Sequence, residues 1–348
     1  MRLRSAPAAL AVALVAAVAV GCGGSESAST TKPQGPAKPV SIALSWSPNT
    51  DYTGIYVAEK RGLYRDAGIK LKVLPYASTL PETLVAAGKA DLGFSYQAGL
   101  AYARAGGKDL VAIFAPHQKG TYAIGVSADR NDIKSPKDLD GKIYAGFGTP
   151  DELPLLKQVI RADGGKGDFR SVTLDTAAYQ AVRAGKADFT IPVTTWEGVE
   201  AKSVGKPMKY FKPEDYGFPE QYSSLIVASG PWLEATPELA KAFVTATEQG
   251  YRWAAENPAK AAAMMIAANP GVFKNPSVVQ QSQKLLADGG YTVGPDGEVG
   301  VQSGERWQKY GNFLFANGLL TGADGKPLKT EPNWSEYFTN AYLAKPRG

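Results

Sequence analysis

A chain of 348 residues with 44% apolar and 20% charged content has room for two globular domains or one split domain. Its formal net charge of +5 is modest and no basic cluster stands out, which argues against nucleic acid as a partner. One Cys and one His rule out a disulfide and a Cys-based metal site, and no metal site is expected.

Residues 1–22 begin Met-Arg-Leu-Arg, continue as an Ala/Val/Leu-rich run and close with Ala19-Val20-Gly21-Cys22. A basic start, a short apolar core and small residues before the cut describe an export signal. The Cys at its end looks like a bacterial lipobox, in which Cys22 is acylated and becomes the new N-terminus. The apolar run is short for a membrane span, and no second one follows. Residues 23–40 read as a flexible Ser/Thr/Pro/Gly tether. The expected arrangement is a globular body held at the outer face of the cytoplasmic membrane by a lipid anchor alone.

The folded part opens near Ser41. A short strand, Ile42-Ala43-Leu44, runs into the loop Ser45-Trp46-Ser47-Pro48-Asn49-Thr50-Asp51-Tyr52, and a helix follows toward Gly62. Strand, polar loop and helix is how open α/β sheets build sites at the carboxyl ends of their strands. Residues 69–74 alternate apolar and basic, a strand with one wet face. Thr79-Leu80-Pro81-Glu82 reads as a capping box opening a helix that ends at Gly88, and residues 90–94 start another strand.

A repeat is then visible. Leu84-Val85-Ala86-Ala87-Gly88-Lys89-Ala90-Asp91-Leu92 is matched by Ala181-Val182-Arg183-Ala184-Gly185-Lys186-Ala187-Asp188-Phe189. Each is a helix end, a Gly cap and a strand entered through Ala-Asp, which implies two similar α/β lobes. Between the copies lie strand patterns at 122–126 and 143–145, a Ser135-Pro136 helix start, and a helix from the Thr149-Pro150-Glu152 signals to Arg161. After the second copy come a strand at 189–193, the segment Thr194-Thr195-Trp196-Glu197-Gly198 and an apolar strand at 224–228. Helical periodicity takes over at 237–256, 258–267, 277–288 and 304–317, followed by a tail carrying Trp334, Tyr337, Phe338 and Tyr342.

This order of export signal, lipobox Cys, tether, duplicated lobes and helical tail resembles the type II periplasmic binding fold of ABC importers. Trp46-Ser47-Pro48-Asn49-Thr50, Gly54-Ile55-Tyr56-Val57-Ala58, Gly88-Lys89-Ala90-Asp91 and Ser95-Tyr96-Gln97 are similar to the subfamily that binds thiamine pyrimidine precursors, over roughly residues 41 to 320. Other relatives bind aliphatic sulfonates, nitrate or riboflavin. The resemblance implies an α/β protein of two lobes joined by a hinge, with lobe one formed by 41–127 plus 224–348 and lobe two by 128–223. It implies a monomeric, non-catalytic receptor without a cofactor. Such a receptor captures a hydroxymethylpyrimidine, a formylaminopyrimidine or another small heteroaromatic, and delivers it to a permease and its ATPase. An enzyme branch of the same family makes the pyrimidine in a single turnover from its own His and pyridoxal phosphate. That branch carries a Lys and a His after the Gly-Lys-x-Asp helix end, where this chain has Gly93-Phe94-Ser95-Tyr96-Gln97-Ala98-Gly99-Leu100. No Lys stands there to form a Schiff base.

The ligand contacts implied for lobe one are Trp46, Asn49, Tyr52 and the Ser95-Tyr96-Gln97 turn. Those for lobe two are Gly148, Thr149, Trp196, Glu197 and Tyr222, with Tyr216 beside them. Flat aromatics suit a flat heteroaromatic ligand, and Glu197 offers an acceptor for a ring amine or a protonated ring nitrogen. An anion binder should instead bring a Lys or Arg to the cleft, or leave helix N-termini bare. Trp46 and Trp196 could instead be core residues, but both directly follow expected strand ends, which favours the site; Glu197 reads equally as a first-turn charge on the next helix. Asp51-Tyr52-Thr53-Gly54 departs from the Asn-His-Thr-Gly of many relatives.

Overall fold

The computed structural model describes residues 35–344. The export signal, Cys22 and most of the tether therefore lie outside the described residues. The strands are β1 (Lys38–Ala43), β2 (Ile69–Leu74), β3 (Leu92–Ser95), β4 (Leu110–Phe114), β5 (Ile124–Ser127), β6 (Ile143–Gly146), β7 (Arg170–Thr173), β8 (Phe189–Thr190), β9 (Met208–Phe211) and β10 (Leu225–Ser229). They form two sheets, ordered β2-β1-β3-β10-β4 and β7-β6-β8-β5-β9. In each, four strands run parallel and one, β10 or β5, lies antiparallel between two of them. The protein is thus a two-lobed α/β fold. β1 opens at Lys38, inside the stretch read as tether.

The duplicated Gly-Lys-Ala-Asp segment does the same job in both lobes. Gly88 and Gly185 take the left-handed backbone, with φ of +64° and +69°, that stops the preceding helix. Asp91 then accepts the Ser41 N–H at 2.7 Å, and Asp188 accepts the Ile143 N–H at 2.7 Å. Each Asp pins the neighbouring parallel strand, so the repeat fixes the entry of β3 in one sheet and β8 in the other.

Residues 124–127, assigned to lobe one from sequence, instead pair with β8 and β9 in the second sheet. The first crossing therefore lies between β4 and β5, and the second between β9 and β10. A strand pattern shows that a segment is extended but not which sheet accepts it. Gly125 belongs here because a Cβ would stand 2.8 Å from Met208 and 2.9 Å from Pro192 of the second lobe.

The helices are α1 (Thr53–Lys60), α2 (Leu63–Asp66), α3 (Pro81–Ala86), α4 (Gln97–Ala105), α5 (Glu152–Ala162), α6 (Ala178–Arg183), α7 (Glu197–Ser203), α8 (Gly230–Ala235), α9 (Pro237–Glu256), α10 (Pro258–Ala268), α11 (Pro276–Asp288) and α12 (Gly304–Ala316). Ser135-Pro136 opens only a 3₁₀ turn, Pro136–Leu139. The expected strand at 189–193 is cut to two residues because Pro192 has no N–H for the ladder. α9 crosses α1 closely: a Cβ on Gly54 would stand 2.2 Å from the Tyr251 ring, and one on Gly250 2.2 Å from the Gly54 carbonyl oxygen. This packing seats the Trp46 loop, since the Tyr251 phenol donates to the Asp51 carbonyl at 2.6 Å. The C-terminal tail packs on the body through Trp334 and Tyr337, both buried. Among the described residues no helix is long and apolar enough to cross a membrane.

Candidate ligand-binding site

A cavity of about 330 Å³ lies between the lobes and draws its walls from both. That volume falls at the small end of the roughly 300–1,000 Å³ usual for small-molecule sites. Its aromatic walls are Trp46, Tyr52, Tyr76 and Tyr96 on the first lobe and Phe147, Tyr179 and Trp196 on the second, with Tyr122 from the first crossing. Trp46 meets Phe147 edge-on across the cleft at 5.6 Å between ring centroids and leans on Tyr76 at 5.6 Å. A flat ring entering here finds aromatic faces on both sides.

The polar lining is acidic. Asp51 and Glu82 stand on the first lobe, and Asp151, Glu152, Asp175 and Glu197 on the second. Among the described residues no Lys, Arg or His lines the cavity. The buried His117 lies behind the wall, with Nε2 3.0 Å from Asp51 Oδ1.

Each carboxylate is held differently. Asp51 sits in the 3₁₀ turn Thr50–Tyr52, whose cap is Asn49, with Asn49 Oδ1 accepting the Asp51 N–H at 2.9 Å. Asp151 accepts the phenols of Tyr102 at 3.0 Å and Tyr310 at 2.9 Å. Glu152 opens α5 and accepts the N–H groups of Phe147 and Gly148, both at 3.1 Å, so this helix N-terminus already holds an anion of its own. Glu197 is the first residue of α7 and also lines the cavity. Its Oε2 accepts the Val193 N–H at 3.1 Å. Burial, reinforced by the nearby Asp51 charge, pushes its pKa from 4.5 up to about 8.

Of the residues singled out from sequence, Trp46, Asn49, Tyr52, Ser95, Tyr96, Thr149, Trp196 and Glu197 lie in the cavity wall. Gln97, Gly148 and Tyr222 lie outside it. Gln97 and Tyr222 clamp each other: the Tyr222 N–H donates to Gln97 Oε1 and the Gln97 N–H to the Tyr222 carbonyl, both at 3.0 Å. The Tyr222 phenol then accepts the Ser303 N–H at 2.6 Å beneath the Arg306 guanidinium. These groups tie the start of α4 to the second crossing. Gly148 serves Glu152 through its N–H, and Tyr216 packs against the core. Sequence reasoning missed Glu82, Asp151 and Glu152, which carry ordinary helix-start signals, and Tyr122, Phe147 and Tyr179.

Residues 49–261 match the family model described as NMT1/THI5 like. The chain belongs to the NMT1/THI5-like family. This NMT1/THI5-like protein is 28% identical to the formylaminopyrimidine-binding protein of Halalkalibacterium halodurans, over 81% of this chain and 86% of that one. Its fold is shared with a ligand-binding component of an ABC-type import system from Staphylococcus aureus (TM-score 0.67, 14% identity, 88% of this chain and 97% of that one). The periplasmic aliphatic sulphonate binding protein of Escherichia coli is also similar (TM-score 0.64, 17% identity, 88% and 99%). At these identities the two structures establish the periplasmic binding fold alone.

Proposed function

We propose that this protein is the extracytoplasmic solute-binding receptor of an ABC importer and that it captures a thiamine pyrimidine precursor of the formylaminopyrimidine kind. The observation that carries the reading is the cavity itself: aromatic faces from both lobes, six carboxylates and no lining cation. A neutral or protonated aminopyrimidine stacks between the aromatics and gives hydrogen bonds to carboxylates. A sulfonate or nitrate finds no lining Lys, Arg or His among the described residues, and the α5 N-terminus that could have received it is filled by Glu152. The relative named for formylaminopyrimidine binding supports the same choice.

In this reading Trp46, Tyr96 and Trp196 stack on or flank the ring, Glu197 accepts from its amine, and Asn49, Tyr52, Ser95 and Thr149 complete the wall. The crossings at 115–123 and 212–224 form the hinge on which the lobes close. The receptor is not an enzyme: no Lys lines the cavity to form a Schiff base, and the only His is turned to Asp51. Once the export signal is removed, acylated Cys22 would tether a monomer to the outer face of the cytoplasmic membrane, where it passes its cargo to a permease and ATPase.

A thermal-shift and calorimetric panel of aminopyrimidines, a flavin, an alkanesulfonate and nitrate tests this. An aminopyrimidine carrying a formylamino arm should raise the melting temperature and bind in calorimetry, and the anions should do neither. A sulfonate or nitrate hit would end the ligand assignment.

A further inference from the structure

Glu82 is a buried carboxylate that the fold has gone out of its way to accommodate. It sits in the first turn of α3, where the sequence reads as a capping box. Yet Leu80 is the N-cap and makes no side-chain cap bond, and Glu82 turns inward to be only 5% exposed. Two glycines make the room. A Cβ on Gly93 of β3 would stand 2.9 Å from Pro81, so Gly93 lets α3 lie directly on the strand. A Cβ on Gly99 of α4 would stand 2.9 Å from Glu82 Oε1 and 2.8 Å from the Tyr96 ring. The Ser95 hydroxyl donates to Oε1 at 2.5 Å. Oε2 is buried, belongs to a residue of the cavity wall, and has no hydrogen-bond partner.

A buried, unpartnered carboxylate oxygen destabilises a fold, so its persistence in a ligand cavity calls for a donor that arrives with the ligand. Glu197 occupies the other lobe. We propose that Glu82 is a second ligand acceptor, on the wall opposite Glu197, which takes a hydrogen bond from the N–H of the formylamino arm while Glu197 takes the ring amine. This rests on the pyrimidine reading above and sharpens it: the preferred cargo carries donors at both ends, one for each lobe. A pyrimidine with a single donor end engages one wall and leaves the Glu82 oxygen bare. The Leu80 side chain has no polar atom to complete a reciprocal capping box with Glu82.

Calorimetry on the full-length chain tests the pairing with two probes, an aminopyrimidine bearing the formylamino arm and the same aminopyrimidine with a methyl group in its place. Glu82→Leu should weaken the armed ligand by roughly ten- to a hundredfold, the scale of a hydrogen bond to a charged group. It should leave the methyl ligand within about twofold and hold or raise the melting temperature of the unliganded protein. Glu82→Gln, closer in shape, should show the same selective loss at smaller size and covers the case in which the Leu variant does not fold. Equal weakening of both ligands, or of neither, overturns the pairing while leaving the pyrimidine reading intact. Failure of the parent protein to bind either probe overturns both.

Discussion

Tyr310 of α12 donates its phenol to Asp151 Oδ2 at 2.9 Å, joining the C-terminal helices of one lobe to the start of α5 in the other. Tyr102 takes the second oxygen of the same carboxylate at 3.0 Å. Both donors come from lobe one and the acceptor from lobe two, so this three-residue contact ties the lobes together. Hydrogen bonds to a charged group contribute about 1.5–3 kcal/mol each, less the water regained on opening. The Tyr102→Phe/Tyr310→Phe double variant should therefore weaken ligand binding by roughly tenfold or more, mainly through faster release. Stopped-flow release rates check this; an unchanged off-rate would show that the contact does not hold the lobes together.

Glu197 gives a pH signature. Its pKa of about 8 in the folded protein lies above the 4.5 of the free side chain. Between those values the folded state holds a proton that the unfolded state has lost. The stability contributed by the neutral form is complete below pH 4.5 and is lost as pH rises through about 8. The unliganded parent should thus lose melting temperature across that window, and Glu197→Gln should flatten the slope. Above about pH 8, where Glu197 is ionised, the same variant should bind an aminopyrimidine roughly ten- to a hundredfold more weakly while remaining folded. Melting curves at stepped pH and calorimetry separate the two effects.

Trp46 touches Phe147 across the cleft as well as facing the cavity. Trp46→Ala removes both, and each aromatic pairing contributes about 0.5–1.5 kcal/mol beyond its buried area. Affinity should fall about tenfold or more, and Trp46→Phe should recover part of it. If Trp46→Ala binds like the parent, the ring is wall rather than contact.

The α1–α9 crossing couples stability to the site. Gly54→Ala forces a methyl into the Tyr251 ring, an overpacking that costs about 1–3 kcal/mol or more. It also displaces the phenol that holds the Asp51 carbonyl. Melting temperature and affinity should drop together, and a variant that melts lower with parental affinity would uncouple the helix crossing from the loop.

Much of the frame was legible because its signals are local. The two Gly-Lys-Ala-Asp copies announce left-handed caps and strand entries, and Asp91 and Asp188 honour them with the same backbone bond. The Trp46 loop could be singled out because it follows β1, and Glu197 because it opens a helix. Glu82 was not legible: Thr79-Leu80-Pro81-Glu82 reads locally as a capping box, and the room that Gly93 and Gly99 leave for an inward carboxylate appears only once α3 lies on β3 and α4. Gln97 and Tyr222 misled for the opposite reason. They sit beside true cavity residues, but the mutual clamp that points them away forms only once the second crossing lies against α4. The sheet joined by residues 124–127 is likewise decided by the antiparallel partners on either side.

The carboxylates of the cleft are divided between its walls, with Asp51 and Glu82 facing Asp151, Glu152, Asp175 and Glu197. Every one that ionises adds to a repulsion across the gap that no lining cation relieves. That repulsion would favour opening of an empty cleft, and a cargo bearing donors, above all a protonated one, would weaken it on entering. Shape then becomes a report of occupancy: a membrane partner that recognises only the shut outline would seldom engage an unloaded receptor, and transport would waste few cycles on nothing.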